Sequence, residues 1–450
     1  MKAILKKPKS SAYPQMIALG YLILIITGTT LLFLPIASRN GISPGFINAL
    51  FTATSATCVT GLVVFDTFTN WSLFGQTVIL LLLQIGGLGF MTIITMFSFL
   101  LRRKIGLKER ELLRESVNTM YIGGVVRLTK KILIGTFLFE SVGALILSTR
   151  FIPRMGLAEG LYYGIFHSVS AFCNAGFDLM GRFSENSSLT LFTGDFVVNF
   201  TIIVLIIVGG IGFFVWDDLT KNKYQFKRYQ LHTKIVLSMT AILIVLGTVS
   251  FYVFERTNLL LDMTIGESIM TSVFSAVTPR TAGFNTVDTS ALTPGGRLLT
   301  MVLMFIGGSP GSTAGGVKTT TLAVVLISLW SSLQNVKSDN VFGRRLEDNA
   351  LKRASAVVTV YLLLVFVAAF IICATNAWIP LEDVLFEVFS AIGTVGLSTG
   401  ITSSLNTIGK IAITLLMYCG RVGSLSFALL FTEHRVSSFI QNATEKINIG

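Results

Sequence analysis

Four short loops along this 450-residue chain each close on a glycine, at Gly61, Gly176, Gly283 and Gly396, spaced 115, 107 and 113 residues apart. Small and polar residues lead into them: Val59-Thr60, Asn174-Ala175, Thr281-Ala282 and Thr394-Val395. Such segments suit one piece of chemistry, the coordination of a cation by backbone carbonyls. A cation leaving water needs replacement oxygens, and carbonyls supply them without a fixed charge. Turning successive carbonyls toward one axis takes dihedrals that glycine adopts freely. One glycine per loop is weak information; four in register, each between long apolar stretches, are strong. Apart from Asp178 and Asp288, just after two of the glycines, the loops hold no acidic ring. The field is then dipolar, which suits a monovalent ion.

The flanks that must position these loops match one another. Ser55-Ala56, Ser170-Ala171, Ser275-Ala276 and Ser390-Ala391 open them, with serine-to-glycine distances of 6, 6, 8 and 6 residues. The third loop therefore carries two extra residues, within Thr278-Pro279-Arg280. Each unit reads as a long apolar helix, a short re-entrant helix, a loop and a second long helix. First helices are expected near 14–36, 128–151, 233–254 and 354–378, and second helices near 71–101, 192–216, 297–330 and 407–432. The loops fall at 58–64, 172–178, 278–286 and 393–399, and the first re-entrant helix follows Pro44-Gly45. The re-entrant helices end at the loops, so their negative C-terminal ends point toward the ion. The expected fold is an all-α polytopic membrane protein with eight transmembrane helices and four re-entrant pore loops around one pore. Its four tandem units span 1–104, 105–220, 221–335 and 336–450. Every second helix also holds a glycine cluster: Gly86-Gly87-Leu88-Gly89, Gly209-Gly210-Ile211-Gly212, Gly307-Gly308, and Gly420 with Gly423. Close helix packing accounts for these. It does not account for the loops, because irregular backbone at membrane depth is tolerated only inside protein or along a wet cavity.

Composition agrees. The chain is 52% hydrophobic and 13% charged, whereas soluble domains carry about 25% charged residues. The first apolar run, 14–37, follows Lys2, Lys6, Lys7 and Lys9 and is too long for a signal peptide. With a cytoplasmic N-terminus and eight crossings, 25 of the 35 Lys and Arg lie inside and eight outside, Arg280 among the eight. Lys318 and Arg421 fall within membrane segments. This positive-inside bias puts both termini in the cytoplasm of a multi-pass plasma-membrane protein. It explains the net charge of +12 without a nucleic-acid partner. The outer segments carry 12 acids, a mildly negative mouth that favours cations. The four cysteines lack metal spacing, Cys58 and Cys173 read as small packing residues, and His167, His232 and His434 are scattered. Among membrane-depth charges, Glu140, Lys318 and Arg421 are far apart in sequence. No catalytic cluster emerges, so the chain does not read as an enzyme, and Glu140 has no assigned role.

The third second helix is interrupted by Gly307, Gly308, Ser309, Pro310, Gly311, Ser312, Thr313, Ala314, Gly315 and Gly316, followed by Val317, Lys318 and Thr319. Glycine costs about 1 kcal/mol in a helix and interior proline about 3. The segment is expected to unwind beneath the loops, its hydroxyls and carbonyls lining a cavity. It reads as a constriction or gate, or otherwise as a passive kink. Gly311 to Gly316 has Walker A spacing, but Val317 precedes Lys318-Thr319 and no strand leads in, which excludes nucleotide binding there. Arg421 at membrane depth calls for a partner. It pairs with carbonyls freed by the unwound segment, forms an electrostatic barrier, or snorkels to the interface.

At these residues the chain resembles the Trk/Ktr/HKT superfamily of potassium transport proteins, most closely the bacterial Ktr ion-translocating membrane subunit. The resemblance covers nearly the whole chain. It rests on Cys58-Val59-Thr60-Gly61-Leu62, on Thr278-Pro279-Arg280 through Thr281-Ala282-Gly283-Phe284-Asn285, on Gly393-Thr394-Val395-Gly396-Leu397, and on Gln84-Ile85-Gly86-Gly87-Leu88-Gly89-Phe90. Thr394-Val395-Gly396 is also close to the TVGYG loop of potassium channels. The resemblance implies channel-like potassium uptake through a filter made by the four loops, with an intramembrane gating loop at 307–316 that the arginine at 421 contacts. It further implies a homodimer and a separate cytosolic regulatory ring that binds ATP or ADP, with no cofactor on this chain and the potassium ion as substrate. Glycine rather than serine at Gly61 favours potassium over sodium. The cytoplasmic segments, about 30, 18 and 23 residues, are too short for a nucleotide-sensing domain. The basic loop 102–131 is either a docking surface for the regulator or a face against anionic lipid. The alternative function is a sodium- or proton-coupled secondary cation transporter. A midplane site on a broken helix usually accompanies two-fold repeats, and this chain shows four units.

Overall fold

The computed structural model describes residues 12–101, 105–116, 123–223, 225–336 and 338–423. The N-terminal lysines, part of the loop 102–131, the end of the helix expected at 407–432, and His434 lie outside these residues. In chain order come α1 (Ala12–Phe33), α2 (Phe46–Thr57), α3 (Thr67–Asn70), α4 (Leu73–Leu88), α5 (Phe90–Leu100), α6 (Leu107–Ser116), α7 (Val125–Met155) and α8 (Leu157–Phe172). They are followed by α9 (Phe196–Gly210), α10 (Phe213–Asn222), α11 (Leu231–Glu255), α12 (Ile265–Val277), α13 (Pro294–Phe305) and α14 (Thr319–Leu333). A two-residue hairpin, Asn340–Val341 with Arg344–Arg345, precedes α15 (Ala350–Thr375), α16 (Leu381–Gly393) and α17 (Thr407–Val422).

Helices α1, α7, α11 and α15 are long and apolar enough to cross a membrane, yet only 33%, 39%, 33% and 28% of their most apolar windows is buried. Phe137, Leu138, Val245, Leu246, Phe366 and Phe370 are among the exposed side chains. A helix so apolar would be covered on all sides in water. Here its uncovered faces meet lipid, and this is an all-α multi-pass membrane fold.

Each long helix packs against the short helix that follows it: α1 on α2, α7 on α8, α11 on α12 and α15 on α16. Small residues make three of these contacts close. A Cβ added at Gly28 would lie 3.3 Å from Ala53 Cβ, one at Gly143 would lie 2.5 Å from Ser168 Oγ, and one at Gly247 would lie 3.0 Å from Ala276 Cβ. Without a hydrophobic drive between helices, backbone proximity of this kind is what holds them together in lipid.

The second helices differ from the sequence expectation. Continuous helices over 71–101 and 192–216 are not found. The first breaks between α4 and α5 with a bend of 97°, and the next breaks between α9 and α10 with a bend of 94°. Gly89 and Gly212 sit at these breaks with φ of 82° and 96°, and Gly423 ends α17 with φ of 93°. No L side chain adopts that backbone readily, so the helix stops there. Between α13 and α14 the chain is non-helical from 306 to 318. The glycine clusters thus do two jobs. Gly86, Gly209 and Gly420 have no room for a Cβ against the carbonyls of Thr57, Phe172 and Ile392, at the ends of the short helices, while the later glycine of each cluster breaks the helix.

Helix packing gives a stability prediction. A Cβ at Gly164 of α8 would press on Ser148 Oγ and lie 2.7 Å from the Ala144 carbonyl, whereas Gly266 of α12 has open space. Overpacking costs about 1–3 kcal/mol, while alanine in place of a helical glycine gains about 1. Gly164→Ala is expected to lower the thermal midpoint of the protein in detergent and Gly266→Ala to hold or raise it, as read by fluorescence-detected size exclusion after heating.

Candidate functional site

The four loop glycines meet. A Cβ built on Gly61 would strike the Ala175 carbonyl and lie 3.2 Å from Gly176 Cα; one on Gly176 would lie 2.7 Å from the Ala282 carbonyl and 3.0 Å from Gly283 Cα. One on Gly283 would strike the Val395 carbonyl and lie 3.2 Å from Gly396 Cα. One on Gly396 would strike the Thr60 carbonyl and lie 2.9 Å from Gly61 Cα. The order 61, 176, 283, 396 closes on itself, so the glycines form a ring around a common axis. The carbonyls of Thr60, Ala175, Ala282 and Val395 stand between neighbours in that ring.

The backbone pays a conformational cost there. The glycines have φ of 92°, 69°, 78° and 95°, and two residues earlier Val59, Asn174, Thr281 and Thr394 have φ of 58°, 58°, 76° and 51°. A non-glycine residue in this region costs on the order of 1–3 kcal/mol and persists only where its surroundings hold it. The short helices do the holding. Thr60 N donates to Ser55 O at 2.8 Å, Ala175 N to Ser170 O at 2.8 Å and Val395 N to Ser390 O at 2.9 Å. Gly61 N and Gly396 N donate to Ser55 Oγ and Ser390 Oγ, each at 3.1 Å. The third loop, with its two extra residues, uses a different brace: Ala282 N reaches Thr278 O at 2.9 Å and Thr278 Oγ1 donates to Phe284 O. The Asn174 amide meets Thr281 Oγ1 at 3.1 Å, joining two loops directly.

On one side of the ring is a cavity of about 290 Å³, lined by the four glycines with Asp66, Asp178, Asp288 and Ser398. On the other side a cavity of about 260 Å³ is lined by Gly87, Gly89, Gly311, Ser312, Lys318 and Arg421. The segment 306–318 borders this second cavity and touches the ring, since Gly315 has no room for a Cβ against Thr394 Oγ1. Its backbone is tied to neighbouring breaks. Ser309 N donates to Gly210 O at 2.9 Å, Phe213 N donates to Gly311 O at 2.8 Å, and Gly307 N donates to Val317 O at 2.9 Å. Thr313 Oγ1 donates to Phe172 O at 3.2 Å.

The two membrane-depth cations fasten this segment. Arg421 donates to the carbonyls of Thr313 and Gly86, and to that of Gly87 at 2.9 Å. Lys318 Nζ donates to Ala314 O at 2.7 Å and Gly315 O at 3.1 Å. Carbonyls left without a partner where helices stop are satisfied by these side chains, and Arg421 does not snorkel.

Other sequence candidates fall elsewhere. Arg280, expected on the outer side, is buried inside the bundle, its Nη2 3.4 Å from Thr240 Oγ1 in the middle of α11. The loop ahead of Thr281 is two residues longer and turns this side chain inward. Glu140 is 5% exposed and accepts from Gln84 Nε2 at 3.0 Å, with Cys173 Sγ 4.0 Å away. Its partner comes from α4, 56 residues earlier, which spacing along the chain does not reveal. His167 is fully buried, with Nδ1 2.7 Å from Tyr163 O and Nε2 accepting from Leu179 N at 3.3 Å. Among the described residues, no group of three His, Cys, Asp or Glu could hold a metal.

Four segments closing on a ring between two cavities, inside a bundle clad in apolar side chains, define a membrane transport architecture. The chain belongs to the TrkH family of cation transport proteins, whose family model matches residues 3–441. It is 43% identical over 443 residues to a potassium/sodium uptake protein, NtpJ, of Enterococcus hirae, covering 97% of each chain. It is 43% identical over 427 residues to the Ktr system potassium uptake protein B of Bacillus subtilis, covering 94% of each. In fold it is similar to the crystal structure of the potassium transporter TrkH from Vibrio parahaemolyticus, with a TM-score of 0.75 at 17% identity, over 96% of this chain and 87% of that one. The protein is thus a multi-pass cell-membrane transport protein of the Trk/Ktr potassium transporter superfamily.

Arg421 generates the second prediction. Arg421→Gln removes a charge-assisted donor from three carbonyls, and bonds of this type are worth about 1.5–3 kcal/mol each. Hydrogen exchange in 309–316 is expected to quicken while that of α7 and α8 stays unchanged. Equal protection of 309–316 in both proteins would show that the arginine does not fasten it.

Proposed function

We propose that the protein is a channel-like potassium uptake pathway whose four loops form one carbonyl selectivity filter. The observation that carries this reading is the closed cyclic contact of Gly61, Gly176, Gly283 and Gly396, with a preceding carbonyl between each pair. In this reading Val59, Thr60, Asn174, Ala175, Thr281, Ala282, Thr394 and Val395 supply filter oxygens. The chain comprises four helix–pore helix–helix repeats with boundaries near 104, 220 and 335, giving eight crossings with both termini cytoplasmic. The bent pairs α4–α5 and α9–α10, and α13 with α14, then each count as one crossing. The negative ends of α2, α8, α12 and α16 face the ring and favour a cation. The three carboxylates of the outer cavity raise its local concentration. The membrane potential supplies about 2.3 kcal/mol per charge per 100 mV, enough to accumulate potassium without a coupled ion.

The segment 307–316 acts in this proposal as the gate, with Lys318 and Arg421 as its fastenings. Regulation is external to the chain: a homodimer in the membrane docks a cytosolic nucleotide-binding ring, and the basic stretch 102–131 is the proposed contact. The relatives named as Ktr system potassium uptake proteins support this reading. A second reading, sodium- or proton-coupled transport, draws on the potassium/sodium name of the Enterococcus hirae relative. Glu140 does not support proton coupling, since it lines neither cavity.

Two measurements test the proposal. In a host lacking potassium uptake, the chain is expected to restore growth and rubidium uptake. Gly61→Ser, which places a side chain at φ of 92° against the Ala175 carbonyl, is expected to lower potassium-over-sodium discrimination at least tenfold, about 1.4 kcal/mol. Unchanged discrimination would remove the ring from the selectivity mechanism. Deleting 309–314 is expected to raise rubidium flux and abolish its regulation, and a deletion protein with wild-type flux and regulation would reduce the segment to a kink.

A further inference from the structure

Behind the fourth loop lies an acid that the pathway above does not use. Glu387 on α16 is fully buried. Its Oε2 accepts from Ser398 Oγ at 2.8 Å and its Oε1 accepts from Thr402 Oγ1. Ser398 follows Gly396 by two residues. Its hydroxyl also lies 3.1 Å from Thr402 Oγ1 and accepts from Gly400 N at 2.9 Å. Its carbonyl accepts from Thr289 Oγ1, in the segment that leaves the third loop. Both carboxyl oxygens are therefore committed to the strand that leaves the ring, and that strand is fastened to its neighbour.

The register extends the observation. Glu387 stands nine residues before its loop glycine, and the residue nine before Gly176 is His167. His167 is also fully buried, and it too holds the strand leaving its ring position, by accepting from Leu179 N at 3.3 Å. The same register before Gly61 holds Thr52, and in the third loop, allowing for the two extra residues, Ser272. Among the described residues, Ser272 donates within its own helix, to Ser268 O. In the cyclic order 61, 176, 283, 396, the second and fourth loops stand opposite each other. Buried ionisable side chains thus brace two opposed loops, and among the described residues the other two show no such brace at that register.

We propose that Glu387, with His167 as its counterpart across the axis, is a positioning residue that sets potassium-over-sodium discrimination. It does so by fixing the width of the outer end of the ring. In the size-based account of carbonyl selectivity, a ring favours the larger ion because it resists contracting around the smaller one. Backbone held at positive φ contracts or relaxes unless its outgoing strand is pinned. Struts on opposite sides pin one diameter of the ring and leave the other diameter to follow. A site held by locked supporting side chains keeps its geometry within fractions of an ångström.

This inference rests on the filter reading above, and the experiment separates the two. Full-length variants are reconstituted in liposomes, and rubidium and sodium uptake are measured under equal gradients. Glu387→Ala is expected to lower the rubidium-to-sodium rate ratio at least tenfold. The double variant Ser398→Ala with Thr402→Val is expected to reproduce the loss, and combining it with Glu387→Ala to add nothing. Glu387→Gln, which keeps one acceptor oxygen, should fall between. A merely structural role would reduce the yield of folded protein and both rates alike, leaving the ratio at the wild-type value. A wild-type ratio in the Ser398/Thr402 double variant overturns the proposal, even if Glu387→Ala does not fold. Gly396→Ser is the control: if it shifts the ratio and the strut variants do not, the strut proposal alone falls, and if it leaves the ratio unchanged the filter reading falls with it.

Discussion

Four stretches of backbone approach one another more closely than any side chain permits. At Gly61, Gly176, Gly283 and Gly396 a single added carbon would overlap the next loop. The rest of the structure follows from keeping that contact. Short helices must end at the ring, because their last turns supply the acceptors that hold strained residues such as Val59 and Thr394 at positive φ. Long helices must pack on the short ones through Gly28, Gly143 and Gly247, because lipid gives no hydrophobic incentive for helices to associate.

The same economy governs the cavity lined by Lys318 and Arg421. Second helices that ran straight would carry their carbonyls past the ring in regular bonds. Instead they stop near Gly89, Gly212, 306–318 and Gly423, exposing carbonyls to a common space. Arg421 and Lys318 supply donors for several of them. An arginine at this depth is costly when isolated; joined to three carbonyls from two distant chain segments, it links the interrupted segment to the first broken helix. That arrangement makes 307–316 a bound element with a defined fastening.

The units are alike in plan and unlike in reinforcement. In the first and fourth loops a serine hydroxyl accepts from the ring glycine's N–H, in the third the Thr278 hydroxyl donates to Phe284 O, and the second and fourth add His167 and Glu387. A single chain with four non-identical loops can stiffen opposite quadrants separately, which a ring of identical subunits cannot do.

Much of this was legible along the chain. Serine-to-glycine spacing located all four loops, apolar runs located the long helices to within a few residues, and glycine with proline forecast the interruption after Phe305. These are local properties: helix cost, left-handed backbone and apolar length are set by neighbouring residues. The bends at Gly89 and Gly212, the inward turn of Arg280, the pairing of Glu140 with Gln84 and the bracing by Glu387 were not legible. Each depends on which distant segment arrives beside a residue. A glycine is compatible with a helix until a neighbouring backbone occupies its open side, and a buried acid has no readable role until its hydrogen-bond donors are in place. The sequence by itself determined a membrane bundle with four glycine loops. Only tertiary packing decided that those loops close into a ring and what holds it at one width, because ring closure and bracing are contacts between residues about a hundred positions apart.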